Sequence, residues 1–294
     1  MTRHILPLLL VGLLCPTLGA TPLELSTLRK QISQARAKQP TTFRAVAGLR
    51  SRLPSIAARQ RGRLVTVVLP LRSLGPAALL PMLASLDQPR GALTSRAWRG
   101  WRVSLLEAVG SLRDARSRPL LEAILSRAAE DPVVWRGAAR ALARLGDERA
   151  LKTLLGLTKD RARLHLLVPA LGECRRLRCT RALAELLRQT EDRALAARAL
   201  AALGQTGNAW AWKTPAVARS GEGEATRRTA VEALVEAYPT LDASARDTAV
   251  KAVALVGHPR TGAIIAAARA RSEGPAAEAL DELSRRVKEI GLLR

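Results

Sequence analysis

Residues 131–155 read DPVVWRGAARALARLGDERALKTLL, and their pattern decides the fold. Val134, Ala138, Ala141, Leu142 and Leu145 recur at the spacing of one helix face, so they form a single apolar stripe. Asp131 is placed to cap that helix. Pro132 sits at its first position, where the missing N–H costs nothing. Gly146 follows the last periodic residue as a stop, and Asp147 can cap a second helix with Leu151, Leu154 and Leu155 turned inward. The block is therefore a helical hairpin with one shared apolar side, which it cannot hide from water alone.

The hairpin recurs along the chain. Ala141–Asp147 is echoed at Ala108–Asp114, Ala170–Glu173, Ala199–Gly204 and Ala252–Gly257, and more weakly at Leu71–Gly75. Successive echoes from Ala108 to Ala141, Ala170 and Ala199 lie 33, 29 and 29 residues apart, a period that suits an array of helix pairs. With these residues in view, the sequence resembles the HEAT-repeat family, in particular the short bacterial HEAT-like repeats of phycobilin-lyase type with the pattern D-P-x-V-R-x-x-A-A-x-A-L-x-x-L-G-D. Residues 131–147 match it almost throughout, with one extra residue before Arg136, and degenerate copies extend the resemblance over roughly residues 62–290. The resemblance implies an all-α fold, an α-solenoid of stacked antiparallel helix hairpins forming a HEAT-like superhelix. It says little about activity, because such folds host unrelated functions.

Composition agrees. Of 294 residues 48% are apolar, yet there is one Phe and one Tyr, so the apolar mass is small and aliphatic. Ala-rich helices can approach closely, and a β-protein with so few aromatic residues would be unusual. Three segments follow: a leader over 1–20, an N-terminal helical cap over 21–61, and the solenoid over 62–294. The leader reading rests on Thr2-Arg3-His4, the apolar run Ile5–Cys15, the break at Pro16 and the stretch Leu18-Gly19-Ala20, which ends in small residues. That run is too short to span a bilayer, which needs roughly twenty residues; the other reading is a buried first helix. An export signal places the protein in the periplasm or outside the cell.

Loss of Met1–Ala20 would remove Cys15 and leave Cys174 and Cys179. In an oxidising compartment that pair is a candidate disulfide, provided Arg175–Arg178 form the turn between two helices; two unpaired thiols are the alternative. The formal charge of +23 attracts polyanions, although an Arg-rich, Ala-rich chain also follows from coding bias alone.

Chemistry is hard to find in the chain. His165 and His258 have no Ser, Cys or acidic partner at a telling spacing, and there is no phosphate loop or metal-ligand cluster. HEAT-like repeats do occur in DNA glycosylases and phycobilin lyases, which leaves an enzymatic reading open, but no catalytic group stands out. The sequence thus predicts a non-enzyme without cofactor, metal or small-molecule substrate. Its partner is expected to be a protein, or alternatively an anionic polymer or lipid such as lipopolysaccharide, nucleic acid or acidic polysaccharide.

Two candidate binding features remain. Arg136, Arg140 and Arg144 recur every four residues, away from the apolar stripe, and Arg175, Arg176, Arg178 and Arg181 crowd the next turn. Together they would form a basic ridge able to hold phosphate or carboxylate; a solvated face paired to neighbouring acids is the plain alternative. Trp210 and Trp212, two apart in a stretch broken by Gly and Pro, cannot share one helix face. Either one of them is an exposed anchor or a distorted turn buries both.

Overall fold

The computed structural model describes residues 20–59, 64 and 66–291. All but the last residue of the proposed leader lies outside them. Seventeen α-helices follow one another among the described residues, with no strand. The first five are α1 (Pro22–Lys38), α2 (Pro40–Ser51), α3 (Leu53–Arg59), α4 (Val68–Ser73) and α5 (Leu79–Leu86). The repeats then run through α6 (Ser95–Leu112), α7 (Arg118–Leu125), α8 (Pro132–Leu145), α9 (Glu148–Leu157), α10 (Leu164–Cys174), α11 (Leu177–Gln189) and α12 (Arg193–Thr206). The last five are α13 (Pro215–Ala218), α14 (Gly223–Ala237), α15 (Ala243–Val256), α16 (Thr261–Arg269) and α17 (Gly274–Glu289).

The helices stack in two layers. In the first, α6, α8, α10, α12 and α15 pack in succession, and in the second α9, α11 and α14 do, with α7 joined to α9 by the hydrogen bond of Thr153 to Glu122. The caps are those the sequence signals. Asp131 accepts from the N–H groups of Val133 and Val134, Asp147 from Ala150, and Asp192 from Ala194 and Leu195. Small residues let the first layer close up. A Cβ on Gly172 would meet the Ala202 backbone at 3.0 Å, and one on Gly204 would meet Ala252 Cα at 2.9 Å. Trp101 and Trp135 are fully buried and keep their indole N–H satisfied by Ser85 Oγ at 3.0 Å and the Leu125 carbonyl at 3.1 Å.

Two prolines sit where helices tolerate them, Pro54 in the first turn of α3 and Pro81 in the first turn of α5, so no backbone bond is lost. The N-terminal helices do more than cover one end. Helix α1 packs on α5 and α7 along the second layer and reaches α9 through the ion pair of Glu24 with Arg149. The partner of α12 is α14, which packs on α11 and α12 and is displaced along the chain by the insertion 207–222.

Candidate functional site

At two of the hairpin turns, after α8 and after α15, arginines satisfy the exposed last carbonyls of the first-layer helix. Arg113 donates to the Arg144 carbonyl at 2.7 Å, Arg176 to the Gly146 carbonyl at 2.6 Å, and Arg227 to the carbonyls of Val256 and Gly257 at 3.1 and 2.7 Å. Gly146 and Gly257 take the left-handed conformation the turn requires, with φ of 67° and 52°. In two repeats an arginine holds that position instead: Arg113 at φ 52° and Arg175 at φ 50°. Hence the basic residues gather along one edge of the stack for a structural reason.

The expected ridge is largely neutralised from within. Arg144, only 12% exposed, pairs with Glu173 at 2.5 Å and with Glu107 at 2.8 Å. Arg140 shares Glu173, and Arg72 shares Glu107 at 2.8 Å, so charges alternate across four successive hairpins, from α4 to α10. Burial on its own would raise the Glu173 carboxyl, but the Arg144 and Arg140 guanidiniums outweigh it and hold the group below the usual range. Arg176 pairs with Glu222 at 3.0 Å, and Arg178 with Glu148. Arg136, Arg175 and Arg181 have no carboxylate partner among the described residues. Arg175 is half-buried. Burial, then the charges of Arg113 and Arg144, lower its proton affinity.

Glu107 and Glu173 escaped the sequence reading, though their signal was present. Glu173 stands three residues after Ala170, as Arg144 stands three after Ala141, so opposite charges occupy one register position in adjacent repeats.

The turn expected between the cysteines exists, at Arg175–Arg176, and Cys174 and Cys179 lie buried on either side of it as thiols. They are in contact: a hydrogen bond with Cys174, then burial, pushes the Cys179 thiol well above its usual range.

The tryptophan pair divides. Trp212 turns inward, donating its indole N–H to the Thr206 carbonyl at 2.8 Å and packing on Gly223. Trp210 turns outward and is 74% exposed, with Lys213 Nζ 4.0 Å from its ring centroid. Its backbone is held firmly: Asn208 Oδ1 accepts from the N–H groups of Trp210 and Ala211, and Ala209 N–H reaches the Leu255 carbonyl at 3.1 Å. Glu222, which closes the same insertion, also receives the Leu177 N–H at 2.7 Å. The insertion therefore rests on the ridge turn. The two candidate features share one edge.

The histidines are separate. His165 is exposed, while His258 is buried, bonded to Glu224 at 2.9 Å and accepting the Arg260 N–H at 3.1 Å. Among the described residues no group of three or more His, Cys, Asp or Glu could hold a metal, and no helix is long and apolar enough to cross a membrane.

Stacked hairpins of this kind define an all-helical repeat protein with solenoid-like packing. More particularly, residues 93–166 match the family model for HEAT repeats. The chain is similar to the solved structure of human deoxyhypusine hydroxylase in complex with glycerol, at 18% identity and a TM-score of 0.37, over 86% of this chain and 99% of that one. A likeness so loose carries no argument about activity. No curated protein sequence matches the chain.

Proposed function

We infer that the protein is a non-enzymatic protein-binding scaffold of the bacterial periplasm or cell envelope, docking its partner on the edge that carries Trp210 and the arginine ridge. HEAT repeats are in general protein-binding scaffolds. The observation that carries the reading here is Trp210. An indole held out by a capped, backbone-tethered turn loses little conformational entropy on binding and presents a large apolar face. The uncompensated Arg136, Arg175 and Arg181 would favour an acidic partner. Export is supported by the leader-like sequence and by the start of α1. Thr21 and Glu24 form a capping box there, with Thr21 N donating to Glu24 Oε2 at 2.9 Å, so cleavage after Ala20 would leave the first helix whole.

The test places a photo-crosslinking residue at position 210 and, as a control, at the equally exposed Leu69 in the cells' own envelope. A discrete crosslinked protein from position 210 alone, with the processed chain starting at Thr21, is the expected result. Unprocessed chain retained in the cytoplasm, or the same products from both positions, would overturn it. Polyanion binding through the ridge is the second reading, favoured by the charge of +23. It is weakened because Arg140, Arg144, Arg176 and Arg178 already hold carboxylates. Steep loss of heparin retention between low and moderate salt, reduced by Arg136→Gln and Arg181→Gln, would favour it.

A further inference from the structure

A cleft of about 680 Å³ opens between α2 and α5, far along the chain from Trp210 and not foreshadowed by any sequence motif. Its floor is apolar: Phe43, Val46 and Ala47 of α2 face Pro81 and Ala84 of α5. Four arginines surround that floor, Arg36, Arg44, Arg50 and Arg90, and no acidic residue lines it. None of the four has a carboxylate partner among the described residues; the nearby Asp87 is engaged by Arg29 at 3.3 Å. Instead, Arg50 donates to Gln88 Oε1 at 2.5 Å and to the carbonyls of Pro89 and Arg90 at 2.7 and 3.1 Å, which ties the 88–93 loop down as one wall. The same guanidinium stacks 5.2 Å from the Trp98 ring, and Arg36 lies 5.2 Å from Phe43. Arg90 is aligned by Ser95 Oγ at 2.7 Å. The other large grooves mix signs: Glu191 and Asp242 face Arg193 in one, Glu232 and Glu236 face Arg228 and Arg260 in another.

An apolar floor within an all-positive rim has a defined complement. We propose that this cleft binds a single-chain amphipathic anion, one aliphatic chain ending in a carboxylate or phosphate, taken up as a free molecule. The volume falls within the range of small-molecule sites, roughly 300–1,000 Å³. Guanidiniums bonded only to neutral oxygens keep their full charge for an incoming headgroup, and the rigid forks of Arg44 and Arg90 suit bidentate contact with it. The chain would lie along Phe43 and Val46, where each buried methylene strengthens binding roughly fourfold. A polyanion would leave the floor unused. A membrane surface would be met by projecting apolar residues rather than by a recess.

The proposal is independent of the scaffold reading, since it uses neither Trp210 nor the ridge. Its test titrates the purified folded protein with monomeric octanoate, decanoate and dodecanoate by calorimetry, with dodecan-1-ol, heparin and phosphatidylglycerol vesicles as comparisons. Affinity is expected to climb with chain length and to fall at least about tenfold for dodecan-1-ol or for the exposed pair Arg44→Gln and Arg90→Gln. Ala47→Trp, which fills the cleft from an exposed position, should abolish it while leaving the helical circular dichroism unchanged. Equal binding of dodecanol, indifference to Ala47→Trp, or binding confined to heparin or to vesicles would each overturn the proposal.

Discussion

Glu173 shows how much of the ridge is internal. At 13% exposure it accepts from both Arg140 and Arg144, and those guanidiniums have few other places to put their charge. Glu173→Gln should therefore destabilise the fold by about 3 kcal/mol, as expected when one partner of a buried pair is removed. A lowered urea midpoint checks this, and an unchanged one would mean that water already solvates both arginines. Glu24 makes a second case, with a pH signature. Its bonds to Arg149 and to Thr21 lower its pKa from the ordinary 4.5 to about 2 in the folded chain. A carboxylate depressed in this way contributes its stabilisation above the ordinary value and loses it as pH falls toward the folded one. Protection of α1 against proteolysis should thus decline between about pH 4.5 and about pH 2, and Arg149→Gln should weaken that dependence, leaving the part due to Thr21. For Cys174 and Cys179, contact between two buried thiols offers a readout of compartment. Protein recovered from an oxidising envelope should show no reactive thiol after denaturation without reductant, whereas three, Cys15 included, would argue against export.

At the scale of elements, the close approach of first-layer helices is the feature most exposed to mutation. The Cβ of Gly204→Ala would fall 2.9 Å from both Cα and Cβ of Ala252, and neither atom can swing aside. The helices would have to separate, at a cost of about 1–3 kcal/mol; thermal unfolding measures it. Gly48 on α2, with nothing near its missing Cβ, is the control and should tolerate Ala. These helices were legible because apolar spacing, Asp caps and Gly stops all agree, as in α8 from Asp131 to Gly146. Helix α14 was legible as a helix but not as the partner of α12, since a 16-residue insertion (207–222) breaks the period. Nor was the direction of Trp210 and Trp212: spacing forbids a shared face, but only the tether from Ala209 to Leu255 decides which ring goes outward. The cleft was invisible for a similar reason. Arg36, Phe43, Arg50 and Arg90 come from three separate segments and share no pattern. Ion pairs between repeats could have been read from opposite charges at one register position, whereas the αL arginines 113 and 175 could not, because glycine is the residue that position usually selects.

Over the whole molecule the decisive quantity is charge. With 48 basic and 25 acidic residues, even perfect one-to-one pairing leaves 23 cations without an acid, so the folded stack works against its own repulsion. Two opposed effects of salt follow. Screening weakens exposed pairs such as Arg228 with Glu232, but these are worth little to begin with. It leaves the part-buried ladder of Arg144, Glu107 and Glu173 nearly intact and relieves the excess, whose reach shrinks from ~30 Å at about 0.01 M to ~10 Å at about 0.1 M ionic strength. Relief of repulsion should win. The melting temperature is then expected to rise as sodium chloride is raised across that range, with most of the gain below about 0.1 M. Retention on an anionic resin should fall over the same interval. Were the melting temperature to drop instead, attractive surface pairs would be holding the repeats together, and Arg228→Gln and Arg285→Gln would then have to lower it as well. If repulsion dominates, those two substitutions leave stability unchanged or slightly raise it, and that sign separates the two cases without reference to any partner.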